Sequence, residues 1–518
     1  MKPIRLMAGF FTVGIWTMLS RVLGFARDIV IAGYLGTGVV AQAFLVAFAL
    51  PNLFRRFFAE GAFNMAFVPM FSKKVEGDDD PLRFAQDAFV GLAFILTAFT
   101  ILGIIAMPAL VSLMASGFLG DARFDLAVSY GRWAFPYILF ISLAALLSGV
   151  LNATGRFAAA AAAPVLLNVV FLLAMILGSL FADPIDPQGT VGWALAFAVP
   201  IAGIAQLALV WFAAQRAGFP LRIGMPKMTP DLVKLAKIAA PAALAGGVLQ
   251  INLLVGRQVA SYFDGAVAWL SYADRLYQLP LGVVGIAIAV VLLPDLSRRL
   301  RSGDVAGSQD AFNRASELSL ALTIPAAVAL FVIPGALVAV MFERGAFTGN
   351  DTLATSLAVA VYGLGLPAFV LQKSLQPLFF AREDTKRPFY YAVAAMVLNA
   401  VLAVGLSYSI GYIAAAFATT ITGWAMVIML YHGSRSMGTA AVFDTRFWNR
   451  LPRIILASLV MGALLLGAQW GLSGWLATAG LRYIALLVLV TIGIVAYFAV
   501  GQLIGAFRLS EFRAALRR

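Results

Sequence analysis

The chain has no cysteine and a single histidine, His432. Disulfides and thiol chemistry are thereby excluded, and histidine–metal sites and histidine acid–base catalysis very nearly so. Charge is scarce as well. Only 12% of residues are Asp, Glu, Lys or Arg, against about a quarter in a soluble domain. Acids are the rarer sign, 24 against 37 Lys and Arg, for a net charge of +13. There is no P-loop, no HExxH, no GxSxG and no pair of carboxylates at catalytic spacing. Nothing therefore points to an enzyme or to transport driven directly by ATP. Long loops are missing too: the longest connection, HGSRSMGTAAVFDTRFWNRL, leaves no room for a soluble catalytic domain. No cofactor and no metal is expected.

What the chain has in abundance is apolar sequence, 62% of its 518 residues, with a mean hydropathy of +0.93. A soluble chain has no way to hide that much apolar surface. The runs are about 20 residues long, the length of a membrane-spanning helix rather than the short alternating segments of a barrel. The expected fold is an all-α polytopic membrane protein with 14 transmembrane helices. They fall at 7–33, 38–72, 84–115, 125–151, 158–181, 190–215, 233–262, 267–296, 312–341, 352–380, 388–408, 411–431, 452–472 and 483–507. The opening MKPIRLMAGFFTVGIWTML has the look of a signal sequence. No small-residue cleavage site follows it, and SRVLGFARD continues it as a polar helix, so it reads as a retained first span. The basic residues set topology rather than bind nucleic acid. They crowd the connections on one side, such as Lys73, Lys74, Arg216, Arg298, Arg299, Arg387 and Arg446, whereas only Arg123, Arg344 and Arg482 fall on the other. The positive-inside rule then places both termini in the cytoplasm.

The chain also repeats itself. Pro136, Arg156 and Asn168 recur at one constant offset as Pro367, Arg387 and Asn399, and VPMFSKK (68–74) recurs as LPDLSRR (293–299). Each repeat holds six spans, an even number, so the halves are expected to relate by a pseudo-two-fold along the membrane normal. The expected domains are an N-lobe over 1–217, a C-lobe over 218–436, and two extra C-terminal helices over 437–518. Two such bundles are the usual build of an alternating-access transporter, with its site at the interface of the repeats.

Six arginines break the apolar runs: Arg21, Arg27, Arg55, Arg56, Arg257 and Arg275. Each costs ~2.5–3.5 kcal/mol at bilayer depth even on the lenient insertion scales. Helical spacing groups them. Arg21, Gly24 and Asp28 share a face at i, i+3 and i+7, and Arg27 flanks it. Asn52, Arg56 and Glu60 follow at i, i+4 and i+8 with Arg55 alongside, and Tyr272, Arg275 and Gln278 do so at i, i+3 and i+6 beside Asp274. These are the first two spans of each repeat. Asp28, Glu60 and Asp274 are too few to cancel the arginines, and are expected to pair with them in one conformation and release them in another. Gly24 is expected to let the first helix bend between those states. The excess is cationic, so the cargo should be anionic, and guanidinium forks match phosphate oxygens.

Four stretches carry a resemblance: SRVLGFARD (20–28), LPNLFRRFFAEGAF (50–63), YADRLYQLPLGVVG (272–285) and FERGAF (342–347). Together they resemble the MurJ (MviN) lipid II flippases of the multidrug/oligosaccharidyl-lipid/polysaccharide exporter superfamily, and the likeness runs through all fourteen spans. It implies flipping of the undecaprenyl-pyrophosphate-linked peptidoglycan precursor from the cytoplasmic to the periplasmic leaflet of the inner membrane of a bacterium. It also implies a cationic central cavity, and a groove for the lipid tail formed by the last two spans. The family's cavity arginines fall on Arg21, Arg27, Arg55 and Arg275, and its polar cavity and gate positions on Ser20, Asp28, Asn52, Glu60 and Asp274. Departures are Gln42 and Gln278, where the family often has acids, and Ala268 in place of a serine. Where some members bind sodium, this chain offers Asn252 and Asn399 but no acid, which leaves membrane potential or another ion as the drive. The implied partners are the lipid-linked anionic precursor, the phospholipid bilayer and the proteins of peptidoglycan synthesis. The same pyrophosphate logic fits a flippase for another polyprenyl-pyrophosphate glycan. A drug or cation antiporter of the superfamily would want a carboxylate-rich cavity instead.

Overall fold

The computed structural model describes residues 6–55, 62–77, 79–222 and 224–507, with side chains for 12–55, 66–77, 79–222, 224–239, 254–282, 284–285 and 292–507. Every regular element among them is helical. The helices are α1 (Leu6–Leu35), α2 (Val39–Arg55), α3 (Ala62–Gly77), α4 (Pro81–Ile105), α5 (Met107–Met114), α6 (Ala122–Ala134) and α7 (Tyr137–Ala153). There follow α8 (Ala158–Leu180), α9 (Pro187–Arg216), α10 (Pro230–Ala260), α11 (Ala266–Arg301), α12 (Val305–Val332) and α13 (Pro334–Phe342). The last are α14 (Gly349–Phe380), α15 (Lys386–Ile410), α16 (Ala414–Ser434), α17 (Thr445–Gly471), α18 (Ser473–Ala477) and α19 (Leu481–Leu503). Each of the fourteen expected spans coincides with one helix or with two in succession. Three of the splits have a visible cause. Pro108, Pro136 and Pro334 sit where α5, α7 and α13 begin, and a residue without an N–H ends one ladder and opens the next.

Nine helical stretches among the described residues are long and apolar enough to cross a membrane, and one of them, Lys386–Met437, contains both α15 and α16. The protein is thus a multi-pass membrane protein. The expected spans outside those nine are α1, α2 with α3, α10 and α11, the four that carry the six arginines.

The chain divides into two compact units. The first runs to Ala268 and takes in Arg344–Phe347; the second holds Trp269–Glu343 and everything from Thr348 onward. In the first unit α8 lies along α1 and α9, α7 along α9, and α2 against α6. Its core is aromatic, with Phe44, Phe67, Phe71, Phe118, Tyr130, Phe135, Tyr137 and Phe171 fully buried. Packing this dense needs a gap in the right place: a Cβ on Gly103 would stand 1.9 Å from the Phe135 ring.

In the second unit α14 packs on α12 and α16, α15 on α16, and α17 on α12 and α19. The last two long helices share one apolar cluster with α12, built on Ile454, Met461, Leu465, Leu489 and Tyr497. The Tyr497 hydroxyl donates to the Ala321 carbonyl at 2.5 Å. A second tie is ionic. Glu317 on α12 is buried and meets Arg314 at 2.5 Å, Arg450 at 3.3 Å and Arg446 at 3.4 Å. Arg314 also pairs with Asp310 and with Asp444, whose carboxylate caps α17 by accepting from Phe447 N at 2.7 Å. Asn313 completes the joint, accepting from Asp444 N at 2.9 Å and donating to the Val442 carbonyl at 3.0 Å.

The repeat is visible in atomic detail within each unit. Arg156 donates to the Arg216 carbonyl at the end of α9, at 3.0 Å, and Arg387 to the Gly433 carbonyl at the end of α16, at 3.2 Å. Each arginine serves carbonyls that a helix end leaves without partners. Asn168 and Asn399 are both buried.

Compactness and repeat divide the chain differently at α10. By sequence it opens the second repeat; by packing it belongs to the first unit, lying mainly against α3. Polar clasps hold both its ends. At the start, Lys74 meets Asp231 at 3.0 Å and Asp79 at 2.7 Å. Those two carboxylates raise the lysine's pKa, Asp79 contributing more. At the other end, Ser116 N donates to Gln258 Oε1 at 3.0 Å and Gly117 N to the Ser261 hydroxyl at 2.9 Å. The Ser116 and Tyr262 hydroxyls lie 2.7 Å apart. The backbones come so close that a Cβ on Gly117 would stand 2.5 Å from Tyr262 N. Arg123, buried and stacked 4.6 Å over the Phe118 ring, reaches Asp264 at 3.0 Å and Asp121 at 2.6 Å. Its hydrogen bond holds the Asp121 carboxyl below the usual carboxylate range.

Candidate functional site

The stretch SRVLGFARD lies wholly within α1, which runs unbroken through Gly24. Arg27 and Asp28 face inward and are 6% and 8% exposed. The guanidinium donates through Nε and Nη2 to one carboxylate oxygen of Asp28, at 3.0 and 2.7 Å. Nη1 donates across to α8, to Asn168 Oδ1 at 3.0 Å. Its central carbon stands 6.0 Å from the Phe48 ring centre and 5.5 Å from that of Phe171. Those rings pack on each other at 5.2 Å, so α2 and α8 supply an aromatic corner with π faces toward a cation. Asn168 uses its other half on the same helix: Nδ2 donates to the Ser20 carbonyl at 2.9 Å. Asn168 lies over Gly24, where a Cβ would stand 3.6 Å from its Nδ2, in ordinary contact.

Desolvating an arginine costs several kcal/mol unless pairing and hydrogen bonds offset it. Here the offset has two sources of different kind. Asp28 supplies the opposite charge from the next position on the same helix. Asn168 supplies no charge but joins α1 to α8.

Of the other expected residues, Arg21 is exposed and makes no hydrogen bond or ion pair with any described residue. It shares the helical face of Asp28 but lies about 10 Å farther along the axis. Ser20 takes part through its carbonyl. Asn52 turns its amide back onto its own helix, donating to the Phe48 carbonyl at 2.8 Å. Arg55 is half-buried at the end of α2, and Arg257 half-buried near the end of α10. Arg56 and Glu60 lie outside the described residues, as does the Asn252 side chain. In the second unit Arg275 is exposed on α11 and Asp274 half-buried. The Asp274 carboxylate accepts from the amide of Gln278, one of the positions where an acid was expected. Gln42, the other, is buried and lies 3.4 Å from Arg123 Nη1.

The structure thus gathers Ser20, Arg27 and Asp28 and adds Asn168, Phe48 and Phe171. Sequence reasoning used Asn168 only as a landmark of the repeat. The signal was present: one amide among the apolar residues of PVLLNVVFLL, in a span where a polar side chain must find a partner. Arg123 was counted as a loop cation, and its place in the α10 clasp was missed.

FERGAF docks by its backbone. Ala346 N donates to the Gly33 carbonyl at 2.8 Å, at the end of α1. Gly345 has φ +57 and a Cβ there would meet Gly33 O at 2.2 Å; Gly36 has φ +61 and its Cβ would meet Ala346 O at 2.4 Å. Both positions require glycine for conformation and for room.

Comparison with known proteins gives one family. The sequence model described as "Lipid II flippase MurJ" matches residues 31–495. A "Probable lipid II flippase MurJ" of Rhizobium tropici is 42% identical over 523 residues, covering 99% of this chain and 97% of that protein. The "Lipid II flippase MurJ" of Burkholderia cenocepacia is 35% identical over 405 residues, 76% of this chain and 77% of that protein. Among solved structures, "Lipid II flippase MurJ, inward closed conformation" superposes with a TM-score of 0.79 at 25% identity, over 98% of this chain and 99% of that one. An inward-facing MATE-family transporter of the MOP superfamily shares the fold, with a TM-score of 0.67 at 13% identity, over 83% of this chain and 98% of that one.

Proposed function

This chain belongs to the MurJ family of lipid II flippases, and we propose that it carries the undecaprenyl-pyrophosphate-linked peptidoglycan precursor from the cytoplasmic to the periplasmic leaflet by alternating access. In this reading Arg21, Arg27, Arg55, Arg56, Arg257 and Arg275, with Ser20 and Asn52, receive the pyrophosphate. Asp28, Glu60 and Asp274 neutralise arginines when cargo is absent. The lobes follow the repeat, 1–217 and 218–436, and residues 437–518 accommodate the lipid tail. Both termini lie in the cytoplasm.

The observation that carries the reading is the Arg27–Asp28 pair. A buried ion pair between adjacent residues of one helix holds no two elements together. Its physical service is to keep Arg27 neutralised in a dry place. A pyrophosphate offers the same guanidinium a better-matched, doubly charged partner. The arginine excess across the four spans sets the sign of the cargo.

The test is periplasmic exposure of labelled lipid II in cells depleted of this protein, with and without an uncoupler of membrane potential. Depletion should leave the precursor on the cytoplasmic leaflet, and the lipid that accumulates identifies the cargo. Arg27→Ala and Arg275→Ala should insert normally and fail to rescue. Full rescue by both would overturn the assignment of the arginines.

A further inference from the structure

We infer that Asn168 is the positioning residue of the anion site: it holds the Arg27 guanidinium in place through the exchange of Asp28 for pyrophosphate, without drawing on its charge. The inference rests on the proposed role of Arg27.

The argument begins with what each partner leaves behind. Asp28 takes Nε and Nη2 of Arg27 on one carboxylate oxygen, and that edge is the one a phosphate would claim as a fork. Once it is claimed, nothing on α1 orients the long arginine side chain. Nη1 is engaged elsewhere, by Asn168 Oδ1 on a different helix, and that bond does not compete with the incoming anion. The acceptor is an amide, so it orients a guanidinium and cancels none of its charge. A carboxylate would orient it equally well and leave less attraction for cargo.

The amide cannot turn around. Its Nδ2 donates to the Ser20 carbonyl at 2.9 Å and, at 3.4 Å, to Pro164 O on its own helix. A flipped amide would set an NH2 against the guanidinium and an oxygen against the Ser20 carbonyl, facing donor with donor and acceptor with acceptor. The amide sits over Gly24, where a Cβ would lie in ordinary contact at 3.6 Å from Asn168 Nδ2, so the face that Gly24 shares with Ser20 and Arg27 is the one on which α8 brings its amide to α1.

The experiment measures binding of undecaprenyl pyrophosphate to the purified full-length protein, together with its thermal midpoint, for three variants. Asn168→Asp keeps an acceptor on Arg27 and adds a charge, so affinity should fall about tenfold or more; its second oxygen faces the Ser20 carbonyl, so the midpoint falls as well. Asp28→Asn/Asn168→Asp moves the carboxylate from the exchangeable partner to the fixed one at constant net charge. It loses the same Ser20 bond, so it should melt below the parent, and it should bind as poorly as the single variant. Arg27→Ala should weaken binding and make it less dependent on added salt. If the charge-moved variant binds like the parent, or if Asn168→Asp loses affinity with the parental salt dependence unchanged, Asn168 merely packs two helices and the inference is overturned. If Arg27→Ala itself binds like the parent, it is the assignment of Arg27 to pyrophosphate that fails.

Discussion

Arg27 in the first unit and Glu317 in the second are both ionised groups withdrawn from solvent, and they are stabilised in opposite ways. Arg27 has one acid beside it on its own helix and one neutral amide from another. Glu317 has three arginines, one on its own helix and two on α17, and acids behind them. Opening the first pair leaves the bond from Arg27 to Asn168 on α8 in place. Opening the second takes one shared carboxylate from three arginines on two helices. The Glu317 charge is tied across elements by several partners; the Arg27 charge is neutralised by a neighbour in sequence and positioned by a neutral amide, the arrangement that the proposed exchange requires.

The largest effect that would break this contrast belongs to Glu317. Glu317→Ala leaves Arg314 and Arg450 facing each other without their carboxylate, and should cost about 3–5 kcal/mol of stability, as removal of one partner from a buried pair does. Thermal unfolding in detergent reads it, and flipping per folded molecule should change little. An unchanged midpoint would remove the distinction between the two sites.

Next comes Asp28→Asn. It takes away the local anion but leaves an acceptor, so the loss of stability should be smaller, about 1–3 kcal/mol. Its main effect should be functional: tighter binding of undecaprenyl pyrophosphate and a block in flipping, because nothing displaces the cargo from Arg27. A variant that flips at the parental rate would take Asp28 out of the mechanism.

The clasps of α10 give a third and smaller measure, because they join elements but are partly open to solvent. Ser261→Ala removes the acceptor of Gly117 N and should cost about 0.5–1.5 kcal/mol. A change much larger than that would rank this clasp with the Glu317 joint.

The smallest effects are those of pH at the two clasps. The Asp121 carboxyl lies below its usual range, because Arg123 stabilises its charged form. Its contribution is present above about pH 3.9 and fades as pH falls through the lower folded-state value. Lys74 lies above its usual range, so its contribution is whole below about pH 10.4 and fades as pH rises through the higher folded-state value. Melting curves of Asp121→Asn should therefore converge on the parent in acid, and those of Lys74→Met in strong alkali. Convergence at the opposite ends would reverse the assignments.

Much of the architecture is legible in the residues. Runs of apolar sequence locate the helices, proline marks three of their breaks, and the spacing of Arg21, Arg27 and Asp28 picks out α1 as a polar span. Periodicity says which face a residue is on, but not how far along the axis its neighbours reach, which is why Arg21 and Asp28 share a face and differ in exposure. It is also silent on partners distant in sequence. The grip of Asn168 on Arg27, the arginines of α17 around Glu317, and Arg123 on Asp264 all depend on helices meeting at particular heights. The placement of α10 was hidden for the same reason: Ser116, Gly117, Gln258 and Ser261 are ordinary turn and helix-end residues until they are brought together.

The membership of α10 in the first unit also sets an order of events during synthesis. Domains generally fold as units from the N-terminus while the chain is still being made. When α10 enters the membrane, Lys74, Ser116, Gly117 and Arg123 have already been translated, so its berth stands ready before α11 exists. The first unit can then close with all seven of its spans in hand. One piece arrives late. Arg344–Phe347 reach Gly33 and Gly36 only after α11, α12 and α13 have been translated, so the end of α1 waits uncovered through the making of three more helices.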